Sequence, residues 1–269
     1  MKQNLYKTTQ PLKSWLKKSF LKIRYVGPFT KKNIILCRSA CLGHEIFDMK
    51  NKNTGVKNLL ICQQKTRLDS LTESLLGEKK IPRVNSEMVK KYLVRDDVYP
   101  LIKQQEELPW LNIDKFDYLL MDSFSELTDQ KFTHKTEGWS FFCYYTDVNH
   151  STEFDNIFKC DGLLDIKYIS GVYNRFFDWF ENKCPGKKVV FFHYPAKLDN
   201  RLVFKDRATE ILRVMKDLEK DRKYISNIYV DDSKVNWKEG DNLPYHYSMG
   251  TNTEFLKKWI ESEKKCLHS

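Results

Sequence analysis

The sequence lacks most of the short motifs that identify an enzyme class. Its 269 residues contain no GxGxxG, no GxxxxGK[ST] and no HExxH, so dinucleotide, P-loop nucleotide and zinc-protease sites have no support. GxSxG is absent as well, which counts against an ordinary α/β-hydrolase. The chain also lacks an apolar run long enough to span a bilayer and a signal peptide with a cleavage site.

The cysteines show no spacing that is typical of a metal site or a disulfide framework. The seven cysteines are an odd number, are widely spread and include no CxxC pair, so the sequence predicts neither a zinc ribbon nor a disulfide framework. We therefore predict no metal and no cofactor. Free thiols favour a reducing location, and we expect the protein in the cytoplasm.

Acidic residues are missing from the first 44 positions, which hold ten Lys and Arg. The remaining chain has 36 of each sign, so the net charge of +10 belongs to this segment and nucleic acid is not an expected partner. Residues 11–24 have the spacing of a basic amphipathic helix, which either docks on the protein body or lies peripherally on the inner face of an anionic membrane. Gly27-Pro28 ends the segment, which predicts a division into residues 1–30 and a domain at 31–269.

Short apolar runs alternate with helical patterns through the rest of the chain. Such alternation predicts a three-layer α/β sandwich with a five-stranded parallel sheet, of the SGNH or flavodoxin-like type. The strands are expected near 33–38, 58–62, 116–121, 189–193 and 225–230. An aromatic-rich insertion at about 131–160 is expected to be irregular, either as a lid or substrate wall or as a packed surface loop.

The first strand leads into a turn of small residues. Ser39, Ala40, Cys41 and Gly43 follow the run Ile34–Cys37, and helical spacing begins at once. A strand, tight turn and helix start can expose a nucleophile and aim backbone N–H groups at an oxyanion. The alternative is a core strand that is followed by small residues.

Four blocks of sequence resemble the SGNH (GDSL-type) hydrolases, and in particular the uncharacterised SGNH-like proteins of bacterial polysaccharide biosynthesis clusters. The first block of that group is similar to Gly-Ser-Cys-x-x-Arg-Asp-x-Phe. The matching segments here are Ser39–Phe47, Gln64–Leu71, Tyr118–Asp122 and Pro244–Tyr247. The resemblance implies a serine-type O-acyl esterase or O-acetyltransferase acting on a surface polysaccharide, such as a capsule, or its precursor. A glycan or acylated sugar would be the substrate, with an acyl donor as the further partner of a transferase.

The resemblance also implies the site residues, and it departs from the family at the nucleophile. Ala40 falls at the nucleophile position, which leaves three explanations: an engineered Ser-to-Ala variant, a natural relative that has lost catalysis, or a register shifted by one so that Ser39 attacks. Cys41 is either a thiolate nucleophile or a small buried hydrophobe. Backbone amides at Ala40, Cys41 and Leu42 would form the oxyanion hole.

The remaining site residues are polar side chains near strand ends. His246 is the expected general base, with a structural turn histidine as the alternative, and Asp241 or Asp232 would fix its tautomer. His193 is a rival base or a core residue. Gln64, Arg67 and Asp122 complete the predicted substrate-binding set, although Gln64 and Arg67 also suit plain surface or packing roles.

A non-catalytic protein is the competing hypothesis. A glycan-binding or scaffolding protein of polysaccharide assembly at the membrane surface would use the aromatic residues at 139–145 to stack on sugars. The natural residue at position 40 distinguishes the two, because serine supports an enzyme and alanine supports the binding protein.

Overall fold

The computed structural model describes residues 33–54, 58–77, 83–107, 109–197, 199–240 and 245–267. The predicted helix at 11–24 and the predicted site residue Asp241 lie outside these residues. Residues Asn33–Ser269 form one compact unit. Its strands are β1 (Ile34–Arg38), β2 (Leu59–Cys62), β3 (Tyr118–Asp122), β4 (Gln130–His134), β5 (Ser140–Cys143), β6 (Phe158–Gly162), β7 (Lys188–Phe192) and β8 (Ile225–Ile228).

Helices connect these strands. They are α1 (Cys41–Thr54), α2 (Leu68–Leu75), α3 (Ser86–Lys90), α4 (Tyr99–Gln104), α5 (Phe124–Thr128), α6 (Thr152–Ile157), α7 (Ile169–Lys183), α8 (Leu202–Asp221) and α9 (Met249–Leu267). Short 3₁₀ turns lie at Pro109–Lys115, Tyr145–Asp147, Ile166–Tyr168 and Asp232–Lys234. Among the described residues, none of the helices combines the length and the apolar character needed to cross a membrane.

The main sheet has five parallel strands in the order β2-β1-β3-β7-β8. All five predicted strands are present, each within about two residues of its predicted limits, and the predicted α/β class is confirmed. The apolar runs of the inner strands β1, β3 and β7 are buried on both faces, as parallel strands require, whereas the edge strand β2 is half-buried and its Leu59 is exposed. On one face α1 packs with α9, and on the other α2, α7 and α8 pack in series, which gives three layers.

The aromatic-rich insertion is not irregular, and that prediction is corrected. It contains a three-stranded antiparallel sheet in the order β5-β4-β6, with its own apolar core. Phe132 and Phe141 are paired in register across β4 and β5 and stack at 5.2 Å. The other wall of this core comes from α3 and α4, which lie in a separate, earlier segment of the chain, so the local pattern could not show it.

Candidate functional site at the carboxyl edge of the sheet

The candidate site lies where the order of the parallel strands reverses. From β1 the chain first adds β2 on one side and then β3 on the other, so the carboxyl ends of β1 and β3 flank a topological switch point. Ser39 and Ala40 form the turn between β1 and α1, and Asp122 ends β3. Three residues that the sequence placed in the site are therefore adjacent in space.

Asp122 joins the two strand ends through three hydrogen bonds. Its Oδ2 accepts from Ser39 Oγ at 2.6 Å and from the N–H of Ala40 at 2.7 Å, and its Oδ1 accepts from the N–H of Phe124 at 2.9 Å. The carboxyl is fully buried, and this loss of hydration raises its pKa to about 6, while the three donors and the Arg38 charge act in the opposite direction. Asp122 therefore holds the turn that contains the nucleophile position.

Gly43 lets α1 approach this turn closely. A Cβ at position 43 would lie 2.0 Å from Ser39 Oγ and 2.9 Å from Leu120 Cδ2, both far inside contact distance. Glycine at 43 is thus needed for close packing rather than for an unusual backbone angle. Gly43 is one of the small residues that predicted this turn, and the packing of α1 explains why it is small.

Two of the three backbone amides that were predicted to form an oxyanion hole have partners within the protein. The N–H of Ala40 donates to Asp122, and the N–H of Leu42 donates to the Tyr194 hydroxyl at 3.2 Å. Cys41 begins α1 as an exposed residue. The pKa of its thiol is raised to about 11, mainly because the surrounding protein reduces hydration of the thiolate. The charges of Glu45 and Asp122 act in the same direction, so the thiol stays protonated near neutral pH.

Ser39, the other candidate nucleophile, is enclosed by the protein. The residue has no exposed surface, and its Oγ lies against Asp122 and the Ala40 carbonyl oxygen. In this conformation a substrate has no access to that hydroxyl.

The loop that carries His246 reaches the same edge of the sheet. Tyr247 pairs with Trp237 in an antiparallel bridge, and the carbonyl oxygen of His246 accepts from the N–H of Lys238 at 3.1 Å. The Tyr245 ring lies 5.9 Å from the ring of Tyr194, whose hydroxyl contacts the start of α1. His246 is half-buried between two buried tyrosines.

The backbone at Tyr245 is unusual. Its φ of 83° lies in the left-handed region, which costs a non-glycine residue on the order of 1–3 kcal/mol. The buried ring compensates for this cost, since it contacts Phe124 at 4.9 Å and stacks on Phe204 at 5.5 Å. These contacts fix the entry of the chain into the His246 loop.

Asp232 and His193 occupy different surroundings. Asp232 begins an exposed 3₁₀ turn, and its backbone carbonyl accepts from Lys197 Nζ at 2.6 Å. His193 is buried, and its Nε2 lies 3.0 Å from Asn227 Oδ1. The amide nitrogen of the same Asn227 donates to the Met215 carbonyl of α8. Burial lowers the pKa of His193 to about 4, against the effect of the Asn227 hydrogen bond, so its imidazole is neutral.

Arg67 and Gln64 are buried rather than on the surface. Arg67 donates from Nη1 to the carbonyl of Gly162 at 2.6 Å, and its Nε donates to Asp69 Oδ1 at 3.1 Å. Its guanidinium also lies over the ring of Phe142 at 5.7 Å. The backbone of Gln64 accepts from Ser125 Oγ at 3.1 Å, which ties the end of β2 to α5. Arg67, directly before α2, therefore links the start of that helix to the insertion.

Sequence reasoning missed a buried ionic network beneath the turn. Arg38 pairs with Glu126, and its Nε donates to the carbonyl of Thr66 at 2.8 Å. Glu126 also accepts from the N–H of Leu68 at 2.7 Å and from the Tyr173 hydroxyl at 3.2 Å. The signal for it was an arginine at the end of an otherwise apolar strand, where a charge is retained only with a partner.

A cavity of about 210 Å³ lies at the other end of the sheet. Asn33, Asp117 and Lys188, at the amino ends of β1, β3 and β7, line it together with Glu263 of α9. None of the predicted site residues lines this cavity.

Comparisons with known proteins leave the family open. No protein-family model and no curated protein matches the chain. A solved structure, the salicylyl-acyltransferase SsfX3 from a tetracycline biosynthetic pathway, is similar with 10% sequence identity and a TM-score of 0.41. The match covers 89% of this chain and 57% of that one, so the chain spans little more than half the length of that protein. A likeness at this level supports no conclusion about activity.

Proposed function

We propose that this chain is an SGNH-like acyl-transfer domain that binds an O-acylated sugar of a bacterial surface polysaccharide or its precursor. The observation that supports the proposal is the position of Ala40, a buried residue on a turn at a topological switch point, directly before α1. The choice of a glycan as the substrate is supported by the sequence resemblance alone. Because Ala40 has no nucleophilic atom, this chain binds the acyl group without forming a covalent intermediate.

A serine at position 40 would complete the chemistry. Its Oγ would attack the acyl carbon while His246 removes its proton, and the sugar oxygen would leave with that proton. Water would then release the acyl group in an esterase, and a sugar hydroxyl would accept it in an O-acetyltransferase. A positioned base contributes typically ~10²–10⁴-fold to such a step.

The test is reaction with a fluorophosphonate, which labels activated serines whatever their natural acyl donor. We expect Ala40→Ser to be labelled at position 40 and to hydrolyse a generic acetyl ester, while the unmodified chain does neither. Adding His246→Ala to Ala40→Ser should remove both signals. The matched control is Ser233→Ala in the Ala40→Ser background, because Ser233 lies on an exposed turn and its loss should change nothing.

A second candidate function has its own observation. The Asp122 carboxylate accepts the N–H of Ala40, where an oxyanion would need that donor, and this favours a non-catalytic glycan-binding or scaffolding protein. If Ala40→Ser is folded, remains unlabelled and hydrolyses nothing, this second function is the one to retain.

The sugar contacts of that second function need a different surface from the one predicted. Trp139, Phe141 and Phe142 are buried in the protein, so these rings are closed to a sugar. Within that stretch Tyr145 is exposed, and its ring stacks on His150 at 3.9 Å. Tyr145→Ala should therefore be included when binding of a polysaccharide is measured.

A further inference from the structure

Three metal-ligating side chains that have no role in the proposed acyl transfer lie together beneath α1. They adjoin the turn of the candidate site, since Cys62 Sγ donates to the Ser39 carbonyl at 3.7 Å. The Sγ atoms of Cys37 and Cys62 and a ring nitrogen of His44 all lie within 4.8 Å of one another. His44 Nε2 is 2.7 Å from Cys62 Sγ. No metal motif in the sequence marks this cluster, because its members come from β1, α1 and β2.

The fold explains why these three residues meet. Cys37 and Cys62 are direct partners in the parallel register of β1 and β2, so their side chains lie side by side on the same face of the sheet. His44 lies in the first turn of α1, which packs on that face. The positions are fixed by the sheet register and by the short turn at Ser39 and Ala40, so the cluster is preorganised.

The spacing suits a small tetrahedral ion. Zinc binds thiolate sulfur at about 2.3 Å and imidazole nitrogen at about 2.0–2.1 Å, which places neighbouring ligand atoms roughly 3.5–3.8 Å apart. Side-chain movements of about an ångström would bring the three donor atoms from their present separations to that distance.

The donor set selects the class of ion. Two sulfur atoms and one imidazole nitrogen favour zinc over magnesium and calcium, which prefer oxygen ligands. The resemblance to the SGNH-like group places an arginine where this chain has His44, so the third ligand is a feature of this chain. We propose that Cys37, His44 and Cys62 bind one Zn²⁺, with the fourth position open to a small ligand such as water.

Binding would tie an edge strand to the body. The ion takes both sulfur atoms as thiolates and the imidazole in its neutral form, so the protons that Cys37, Cys62 and His44 hold in excess of this state go to solvent when the ion binds. β2 is an edge strand of the sheet, and Cys62 is its last residue. A bound ion would therefore hold β2, β1 and the start of α1 together and raise the stability of the fold.

The test uses the full chain, reduced with a phosphine and freed of metal by chelation, and titrated with Zn²⁺ and with Co²⁺. We expect one ion per chain, a thiolate-to-cobalt charge-transfer band, and a higher melting temperature with Zn²⁺. Cys62→Ser and His44→Asn should each weaken binding by more than the ~10–100-fold that loss of an outer-shell partner costs. Cys160→Ser, at an exposed cysteine away from the cluster, should bind as the unmodified chain does.

Alkylation with mass spectrometry provides a readout that does not depend on the folding of a variant. Zn²⁺ should protect the partly exposed Cys62 from the reagent, while Cys160 reacts equally with and without the ion. Cys37 is buried and therefore gives no signal in the folded chain. Absence of binding by the unmodified chain would overturn the proposal, as would binding that survives in both Cys62→Ser and His44→Asn. Protection that needs an oxidant instead of Zn²⁺, with the loss of two hydrogen atoms in mass, would also overturn it and assign a disulfide.

Discussion

Ser39 Oγ and Asp122 Oδ2 lie 2.6 Å apart, in a hydrogen bond that closes the gap between the carboxyl ends of β1 and β3. Both residues are buried, and the same carboxylate oxygen also accepts the N–H of Ala40. The turn that a catalytic serine would occupy is thus fixed by a carboxylate from the neighbouring strand. This arrangement makes Asp122 the residue on which the geometry of the candidate site depends.

Asp122 should make the stability of the protein fall as the pH rises through weakly acidic values. Burial raises its pKa from 3.8 to about 6, so the folded protein holds the proton more tightly than the unfolded chain. The stabilisation is complete below pH ~4 and is lost as the pH rises through ~6. Each pKa unit corresponds to about 1.4 kcal/mol, so the whole effect amounts to ~3 kcal/mol.

The measurement is the free energy of unfolding in urea across this pH range, for the unmodified chain and for Asp122→Asn. The asparagine cannot titrate, so its stability relative to the unmodified chain should increase between pH ~4 and ~7. A difference that stays constant with pH would show that the carboxyl has an ordinary pKa. A difference of opposite sign would show that its three donors outweigh burial.

Replacement of Gly43 by alanine should destabilise the protein by ~1–3 kcal/mol, because the added methyl group would overlap Ser39 Oγ and Leu120. The matched control is Gly171→Ala in α7, where a Cβ meets nothing within 4 Å. That control should stabilise the protein by ~0.5–1 kcal/mol through helix propensity. Urea unfolding of the two variants separates the effects, and equal behaviour would mean that α1 can shift to accept the methyl group.

The buried pair of Arg38 and Glu126 gives a third prediction. Glu126→Gln should cost ~3–5 kcal/mol, because it leaves the guanidinium buried without a counter-charge. Glu210→Gln on α8 removes one of the two carboxylate partners of the exposed Arg213, leaving Asp217, and should cost less than ~1 kcal/mol. Thermal unfolding at fixed pH tests both variants. A small loss for Glu126→Gln would indicate that the site relaxes or admits water.

The sequence predicted the main sheet well for a physical reason. Runs such as Ile34–Cys37 and Val189–Phe192 are apolar throughout, and only a strand buried on both faces needs that composition. The proximity of Ser39, Ala40 and Asp122 could also be predicted, because the carboxyl ends of parallel strands lie at the same edge of a sheet.

Features built from distant segments could not be predicted in the same way. Tyr194, two residues beyond the end of β7, contacts α1 across 152 residues of chain, and nothing in its local sequence indicates that partner. The pairing of Cys37 with Cys62 depends on the exact register of β1 and β2. The sequence does contain a signal for it, because both apolar runs end in cysteine and aligning the two ends places these residues side by side. The placement of His246, Asp241 and Asp232 in the catalytic machinery stays a prediction.

Cys41 should react slowly with alkylating reagents in spite of its exposure. With a pKa of about 11, only on the order of one thiol in 1,000 is ionised at pH 8. The more basic thiolate is intrinsically more nucleophilic, which offsets nearly half of this deficit. We therefore expect Cys41 to be alkylated by iodoacetamide ~10–30-fold more slowly in the folded protein than in the same chain unfolded in urea.

Peptide mass spectrometry measures this ratio residue by residue, and Cys160 provides the internal standard because it too is exposed. If exposure alone governed reactivity, both cysteines would react quickly in the folded protein. Slow reaction confined to Cys41 would place the cause in its surroundings, where Glu45 and Asp122 oppose formation of the thiolate. Equal rates for folded and unfolded Cys41 would instead restore it as a candidate nucleophile beside Ala40, so the same experiment bears on the chemistry of the site.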